Sequence, residues 1–320
     1  MAETVTGHVF KPADLKIGQR EPGISAFMRI RNGAAFLEAT IRSHIAHFDE
    51  IVAVHNRCTD ATPDILARLA GEFGGKLRVV HYADPVHPPG SDGHANTAPD
   101  DPASMVNYSN VAMARTRFRT VTKLDDDHLA LDADLAGTVA MLRQKSGAGD
   151  TLFGFSGLNL WRGVDQNGPL SVMAADPVSG GGDIGFFDVR EDRIFTHDTR
   201  FERTPRAGLK RRFCGYLYWH LKYLKPGLGF ANYDLEANPG SRFGRKRQKV
   251  RQSGAITSLD ELARTIAPSP GRRIAGMVDD KRRFVVARDA ALGSRFAGQD
   301  VAEAVRASIR PDLAATILAQ

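Results

Sequence analysis

The chain has 320 residues, 42% of them hydrophobic and 25% charged, the balance of a folded protein rather than a disordered, collagen-like or coiled-coil one. Lys and Arg total 43 against 37 Asp and Glu, a formal charge of +6 that permits an anionic partner without selecting one. No run of about 18 apolar residues occurs, which excludes a membrane-spanning helix, and two cysteines, Cys58 and Cys214, are too few for a disulfide framework or a Cys-rich zinc site.

Residues 1–23 read as a polar lead-in without the apolar core of a secretory signal, closed by the turn Pro22-Gly23, and the expected location is cytoplasmic. A buried strand follows at 24–30, and Leu37, Ile41, Ile45 and Phe48 mark one face of a helix. A second strand spans 51–55. Thr62-Pro63-Asp64 opens the next helix, with Thr62 as its cap, and Gly74-Gly75 ends it before a third strand at 77–82. Strand–helix–strand–helix–strand order predicts right-handed crossovers and a parallel sheet.

Residues 84–104 break the pattern. They carry Pro85, Pro88, Pro89, Pro99 and Pro102 with His87 and His94, and a loop of this length inside a domain is functional or disordered. The period returns as a helix within 103–118 and a strand at 119–124, which runs into Asp125-Asp126-Asp127. A helix is expected over 129–142, strands at 151–158 and 184–189, an aromatic run at 216–224, and helices beyond about 255, where Ser258 and Glu261 match a capping box.

Three adjacent carboxylates are too costly to bury without partners, and the strand before them delivers them to the carboxyl edge of the sheet, where open α/β sheets bind ligands. Asp125 and Asp127, with Asp126 between, suit a hard divalent cation that also holds a diphosphate. A solvated helix N-terminus explains the same residues.

Residues 25–66 (SAFMRIRNGAAFLEATIRSHIAHFDEIVAVHNRCTDATPDIL) and 109–129 (SNVAMARTRFRTVTKLDDDHL) together resemble the glycosyltransferases of the GT-A fold, nearest in pattern to glycosyltransferase family 2. The resemblance covers roughly residues 24–135. It implies an α/β fold, a mostly parallel Rossmann-related sheet flanked by helices, with a helical C-terminal extension. It divides the chain into a lead-in, 1–23; a transferase domain, 24–255, with a nucleotide-sugar half (24–135) and an acceptor half (136–255); and a helical region, 256–320.

By the same resemblance, a UDP- or GDP-linked sugar is the donor and a glycan or lipid-linked molecule the acceptor, in cell-surface polysaccharide or glycoconjugate synthesis. Asp125 and Asp127 take the DxD positions and hold Mn²⁺ or Mg²⁺, and Asp126 joins the donor-binding set. Arg29, Arg31, Asn32, Asn56, Cys58 and Asp60 match positions that contact base and ribose. His55-Asn56 stands where the family commonly has Asp, which leaves the choice of nucleotide open. Late-chain His220 resembles the histidine that completes the metal shell; packing among aromatics is the other reading.

Arg115 and Arg117 precede the acidic strand, and either meet phosphate or lie on a solvated face. Lys222 and Lys225 are further diphosphate candidates. An inverting enzyme of this fold needs a carboxylate base. Asp183, after three glycines, is one candidate and Glu202, flanked by arginines that suggest an ion pair, the other. Trp161, Tyr216, Tyr218 and Trp219 stack on a sugar or pack in the core.

Six of the ten residues from Arg242 to Arg251 are basic. They offer a peripheral contact with the inner face of a membrane, or a solvated loop. No nucleic-acid motif is present. A nucleotidyltransferase of related fold and a non-catalytic carbohydrate- or nucleotide-binding module are the alternatives.

Overall fold

The computed structural model describes residues 3–232, 235 and 240–318. In chain order the elements are β1 (Glu3–Val5), β2 (Glu21–Ile30), α1 (Leu37–His44), β3 (Glu50–Asn56), α2 (Thr62–Phe73), β4 (Leu77–Tyr82), α3 (Asp92–Asn96), α4 (Met105–Ala114), β5 (Phe118–Lys123), β6 (His128–Ala130), α5 (Asp132–Gln144) and β7 (Thr151–Trp161). There follow β8 (Ser171–Met173), β9 (Val178–Ser179), β10 (Gly185–Asp188), β11 (Thr196–Asp198), β12 (Phe201–Arg203), β13 (Lys210–His220), α6 (Arg242–Arg251), β14 (Ala255–Ile256), α7 (Leu259–Ile266), α8 (Pro270–Val278), α9 (Asp280–Arg295), α10 (Val301–Ser308) and α11 (Pro311–Leu318).

The main sheet has the order β1-β4-β3-β2-β5-β10-β7-β13-β6. The β1–β5 part is parallel throughout. Only β10 and β6 run against it along this path, while β7 and β13 are parallel to each other. The mostly parallel, helix-flanked sheet expected from the sequence is present, and so are the C-terminal helices. Every residue of β3 is buried, as expected of a strand covered on both faces. Its Ile51 and Ala53 join the core under α1, α2 and α5, while Val52 and Val54 join the core under α4.

Four expectations need correction. The lead-in is not loose: Glu3, Thr4 and Val5 pair in parallel with Val80, His81 and Tyr82 and form the sheet edge. Thr62 does not cap α2. Its Oγ1 accepts the Gly33 N–H at 2.9 Å, and Asp60 Oδ1 accepts the Thr62 N–H at 3.1 Å. The helix expected from 129 begins at Asp132, because His128–Ala130 pairs with β13 and long-range pairing overrides the local pattern. The basic run is not a loop but α6, whose Phe243 and Val250 pack beside Trp161 and Tyr223.

The C-terminal helices share a core with the sheet. Leu259, Leu262, Leu292, Val301 and Val305 pack with Phe36, Leu129, Leu158, Leu160 and Trp219. Trp161, Tyr216, Tyr218 and Trp219 are all buried, so core packing, not an open sugar platform, accounts for the four aromatics. Both cysteines are free thiols. No helix among the described residues is long and apolar enough to cross a membrane.

Candidate functional site

The parallel strands β2, β3 and β5 end on one edge, and β5 delivers Asp125, Asp126 and Asp127 there. Gly33, in the turn after β2, sits against them. A Cβ on Gly33 would lie 2.4 Å from Asp126 Oδ2, so a side chain here would have to displace the Asp126 carboxylate.

The strand β13 ends on the same edge, and its register builds the rest of the site. His220 is paired with His128 in the antiparallel β6 and with Asn159 in the parallel β7. Asp127, His128 and His220 each offer a ligand atom, all within 4.8 Å of one another. The His128 ring stacks on Tyr218 at 3.7 Å and meets the His220 ring edge-on at 5.2 Å. Burial drives the His128 imidazolium down to about 3 against the pull of Asp125, so this ring is neutral.

Asn159 fixes the state of His220. Its Nδ2 donates to the Asp176 carbonyl at 2.5 Å, so its Oδ1 faces His220 as an acceptor, at 2.5 Å from Nδ1. Nδ1 therefore carries the proton, and in the neutral ring Nε2 bears a lone pair. That lone pair lies 3.2 Å from Asp127 Oδ1. The oxygen is buried and, although near the ring, accepts no aligned hydrogen bond. Two electron-rich atoms facing each other at this distance call for a cation between them, a metal ion or a proton.

Lys225 answers the other carboxylate oxygens. Its Nζ is 2.8 Å from Asp127 Oδ2 and 3.0 Å from Asp126 Oδ2. Burial opposes the Asp127 charge, but Lys225 leads the effects that outweigh it and hold the group well below the usual carboxylate range. Asp126 is pushed up, by burial first and by its neighbour Asp127, against Lys225. Lys225 itself is raised, because Asp127 and Asp126 overcome its burial.

Asp125 faces a second group of charges. Lys123 Nζ lies 3.0 Å from its Oδ1, and His128 Nε2 lies 3.8 Å from its Oδ2. Despite burial, Lys123 leads the effects that keep it ionised. Arg29, in β2, is buried alongside: it pairs with Glu202 at 2.6 Å and donates to Ser109 Oγ at 2.5 Å. Burial raises Glu202, but Arg29 and Lys123 together with hydrogen bonds outweigh it and keep the group below the usual carboxylate range. The arginine that binds Glu202 is thus Arg29 from across the sheet, not either sequence neighbour; Arg203 pairs with Asp198.

The turns after β2 and β3 are stitched to each other. Asn32, at φ +54°, accepts the Thr59 N–H through Oδ1 at 2.8 Å. Asn32 N donates toward Cys58 Sγ, and Asp60 Oδ2 accepts the Ala34 N–H at 3.0 Å. These three residues shape the edge. Arg31 is exposed there and reaches the Val86 carbonyl. Buried Asn56 donates Nδ2 to the Tyr82 and Asp84 carbonyls at 2.8 and 2.6 Å, which leaves its Oδ1 buried without a partner.

Arg115 is not brought to this edge. It precedes β5, so it lies at the amino end of the strand, where Nε pairs with Glu3 at 2.8 Å. Arg117, on the same side, pairs with buried Glu50. Asp183 is exposed in the glycine loop after β9 and accepts the Gly181 N–H at 3.1 Å. His128, Asn159 and Lys123 are site residues that the sequence reading missed. His128 adjoins the acidic run, but nothing marks Asn159 except one amide in an apolar strand.

No protein-family model matches the chain, and no curated protein matches it. It is similar to solved structures of glucosyl-3-phosphoglycerate synthase from Mycobacterium tuberculosis. The form with Mg²⁺ and UDP is 21% identical over 40% of this chain and 41% of that chain, with a TM-score of 0.24. The form with Mn²⁺, UDP and phosphoglyceric acid is 18% identical over 51% and 52%, with a TM-score of 0.28. The UDP form is 19% identical over 51% and 53%, with a TM-score of 0.27. The chain spans about half the length of these proteins or less.

Proposed function

We propose that the protein is a metal-dependent glycosyltransferase that moves a sugar from a nucleotide-sugar donor to a glycan or lipid-linked acceptor. The observation that carries this reading is the Asp127–His220 pair, whose facing lone pairs and unpartnered buried oxygen fit a divalent ion such as Mn²⁺ or Mg²⁺. A carboxylate with neutral imidazole is a suitable donor set for these ions. His128 is the third ligand candidate within reach, and Asp125 lies beside it. A divalent ion held here would bridge the donor diphosphate and stabilise the departing nucleoside diphosphate.

The surrounding residues take the remaining tasks. Lys225 neutralises Asp126 and Asp127, and it lies close enough to turn toward a phosphate. Arg29 and Lys123 supply positive charge on the far side of Asp125. Buried Asn56 shapes the base side of the edge by holding the Tyr82 and Asp84 carbonyls, rather than by meeting the base itself. Asp183 is the favoured acceptor base, because it is exposed and no cation pairs with it among the described residues. Glu202 is held ionised by a buried arginine, which makes it a poor proton acceptor and suits it to positioning Arg29. In this reading the reaction is inverting, the outcome that an acceptor-side base serves.

Thermal unfolding with UDP or GDP and their sugars, with and without Mn²⁺, tests the reading. Ligand that binds only the native state raises the midpoint by mass action. UDP or GDP with Mn²⁺ stabilises the parent, and Asp127→Ala removes that increment while retaining the fold. Equal stabilisation of variant and parent overturns the assignment. Glycan binding without metal supports the binding module instead.

A further inference from the structure

The helix α8 is assembled inside out. A helix on the surface of a domain normally turns its large apolar side chains inward. Here a glycine faces in: Gly276 lies so close to α9 that a Cβ would stand 3.3 Å from the Arg283 Cα. The large apolar residues face out. Ile274, Met277 and Val278, spaced i, i+3 and i+4, are 66%, 73% and 87% exposed. They are half of the six large hydrophobic residues exposed among the described residues, and all three form one stripe.

The charge around the stripe is mostly positive, with Arg272 paired to buried Asp289 at 2.6 Å. Arg272, Arg273, Lys281, Arg282 and Arg283 are exposed on α8 and the start of α9. The two carboxylates in the same stretch are already engaged. Asp279 caps α9 by accepting the Arg282 N–H, and Asp280 binds Arg211. Between the two helices runs a groove of about 560 Å³, lined by Ala275, Val285 and Val286 with Arg272, Lys281, Arg282 and Asp279 at its sides.

We infer that α8 is a membrane-contact helix, lying flat on an anionic bilayer with Ile274, Met277 and Val278 in the acyl boundary and the basic residues among the headgroups. A short helix with an apolar stripe and a cationic flank has the pattern of interfacial binding. Nine residues at 1.5 Å each are far too short to span a bilayer. A second protein chain is a poorer occupant, since a stable interface takes roughly 20–30 residues a side and this stripe offers three. The basic flank selects anionic lipid over neutral lipid. The helix is also well braced: Phe284 of α9 packs against Gly154 and Gly182, and Arg288 donates to the Gly180 carbonyl. A docked α8 is therefore tied to the glycine loop that carries Asp183.

Co-sedimentation of the full chain with phosphatidylcholine vesicles, with and without phosphatidylglycerol, tests this. The parent binds the anionic vesicles, and added salt weakens binding. Ile274→Ser/Met277→Ser/Val278→Ser lowers the partition coefficient about 100-fold or more. Lys281→Glu/Arg282→Glu lowers it roughly tenfold or more, on anionic vesicles only. All five positions are exposed, so the variants keep the fold and the thermal response to UDP and Mn²⁺, which separates this inference from the proposed reaction. It is overturned if the parent does not bind, or if the serine variant binds as the parent does. Loss of binding on Arg245→Glu/Lys249→Glu/Arg251→Glu in α6, with the α8 variants unaffected, also overturns it. So does a parent dimer in analytical ultracentrifugation that the serine variant dissociates, which assigns the stripe to a second copy.

Discussion

Asn159→Leu isolates the element that, in the proposed reading, prepares His220 for metal. The new side chain is of similar size and sits between Leu158 and Leu160 in a buried strand, so packing is largely conserved. It removes the acceptor 2.5 Å from His220 Nδ1. The ring is then free to place its proton on Nε2, where it points at Asp127 Oδ1 and closes the gap that a cation would fill. Loss of such an outer partner lowers metal affinity about 10- to 100-fold, or about 1.4–2.7 kcal/mol. Isothermal titration of Mn²⁺ in the presence of UDP reads this directly. The lost hydrogen bonds to His220 and to the Asp176 carbonyl lower stability by about 1–3 kcal/mol, which a urea titration reads separately. Asn159→Asp keeps an acceptor for His220 and therefore retains more Mn²⁺ affinity than Asn159→Leu. Mn²⁺ affinity within twofold of the parent in Asn159→Leu would refute the tautomer argument and leave His220 as a packed aromatic.

Lys225→Met leaves Asp126 and Asp127 without their buried ammonium, which costs about 3–5 kcal/mol without metal; Mn²⁺ should then raise the melting temperature more in the variant than in the parent, and an equal increment contradicts the placement of Lys225. Asp183→Asn should lower kcat by about 10²–10⁴ with donor affinity unchanged, and an unaffected kcat removes Asp183 as the base. Buried His44 has its imidazolium pushed down to about 4 by desolvation, below about 6.5 in the unfolded chain. Its stabilising contribution is therefore complete above pH 6.5 and is lost as pH falls, by about 3 kcal/mol at pH 4. His44→Gln should flatten that part of the urea-midpoint profile, and an unchanged slope assigns it to other groups.

The first half of the fold was legible because its strands β2, β3 and β4 are short apolar runs bounded by turn signals, and α2 opens on Thr62-Pro63-Asp64. The edge strand β1 was not, since Glu3-Thr4-Val5 carries little apolar signal and owes its conformation to pairing with β4. The strand β13 was only half visible: Lys210, Arg211 and Arg212 disguise its start, and its aromatic end alone stands out. The acidic run was legible from its place after β5. Arg115 was misplaced because nearness in sequence to β5 says nothing about which end of the strand a residue occupies. His128 and Asn159 depend on the registers of β6 and β7 with β13, which no local pattern encodes.

Those registers also give the C-terminal helices a role in the site. Along β13 successive side chains point to opposite faces. Trp219 faces the helical core and donates Nε1–H to Ser308 of α10 at 2.9 Å, while His220 faces the acidic edge. The next residue closes the arrangement, as Leu221 N–H donates to the Asp127 carbonyl at 2.8 Å. The parallel strands β2 to β5 are joined by crossovers, but the Asp127–His220 pair exists only because β13 lies between β7 and β6, a pairing of strands distant in sequence. The Asp127–His220 geometry thus depends on elements far apart in the chain. Shifting Trp219 would move His220 with it, so the helices beyond residue 255 brace the Asp127–His220 pair through Trp219.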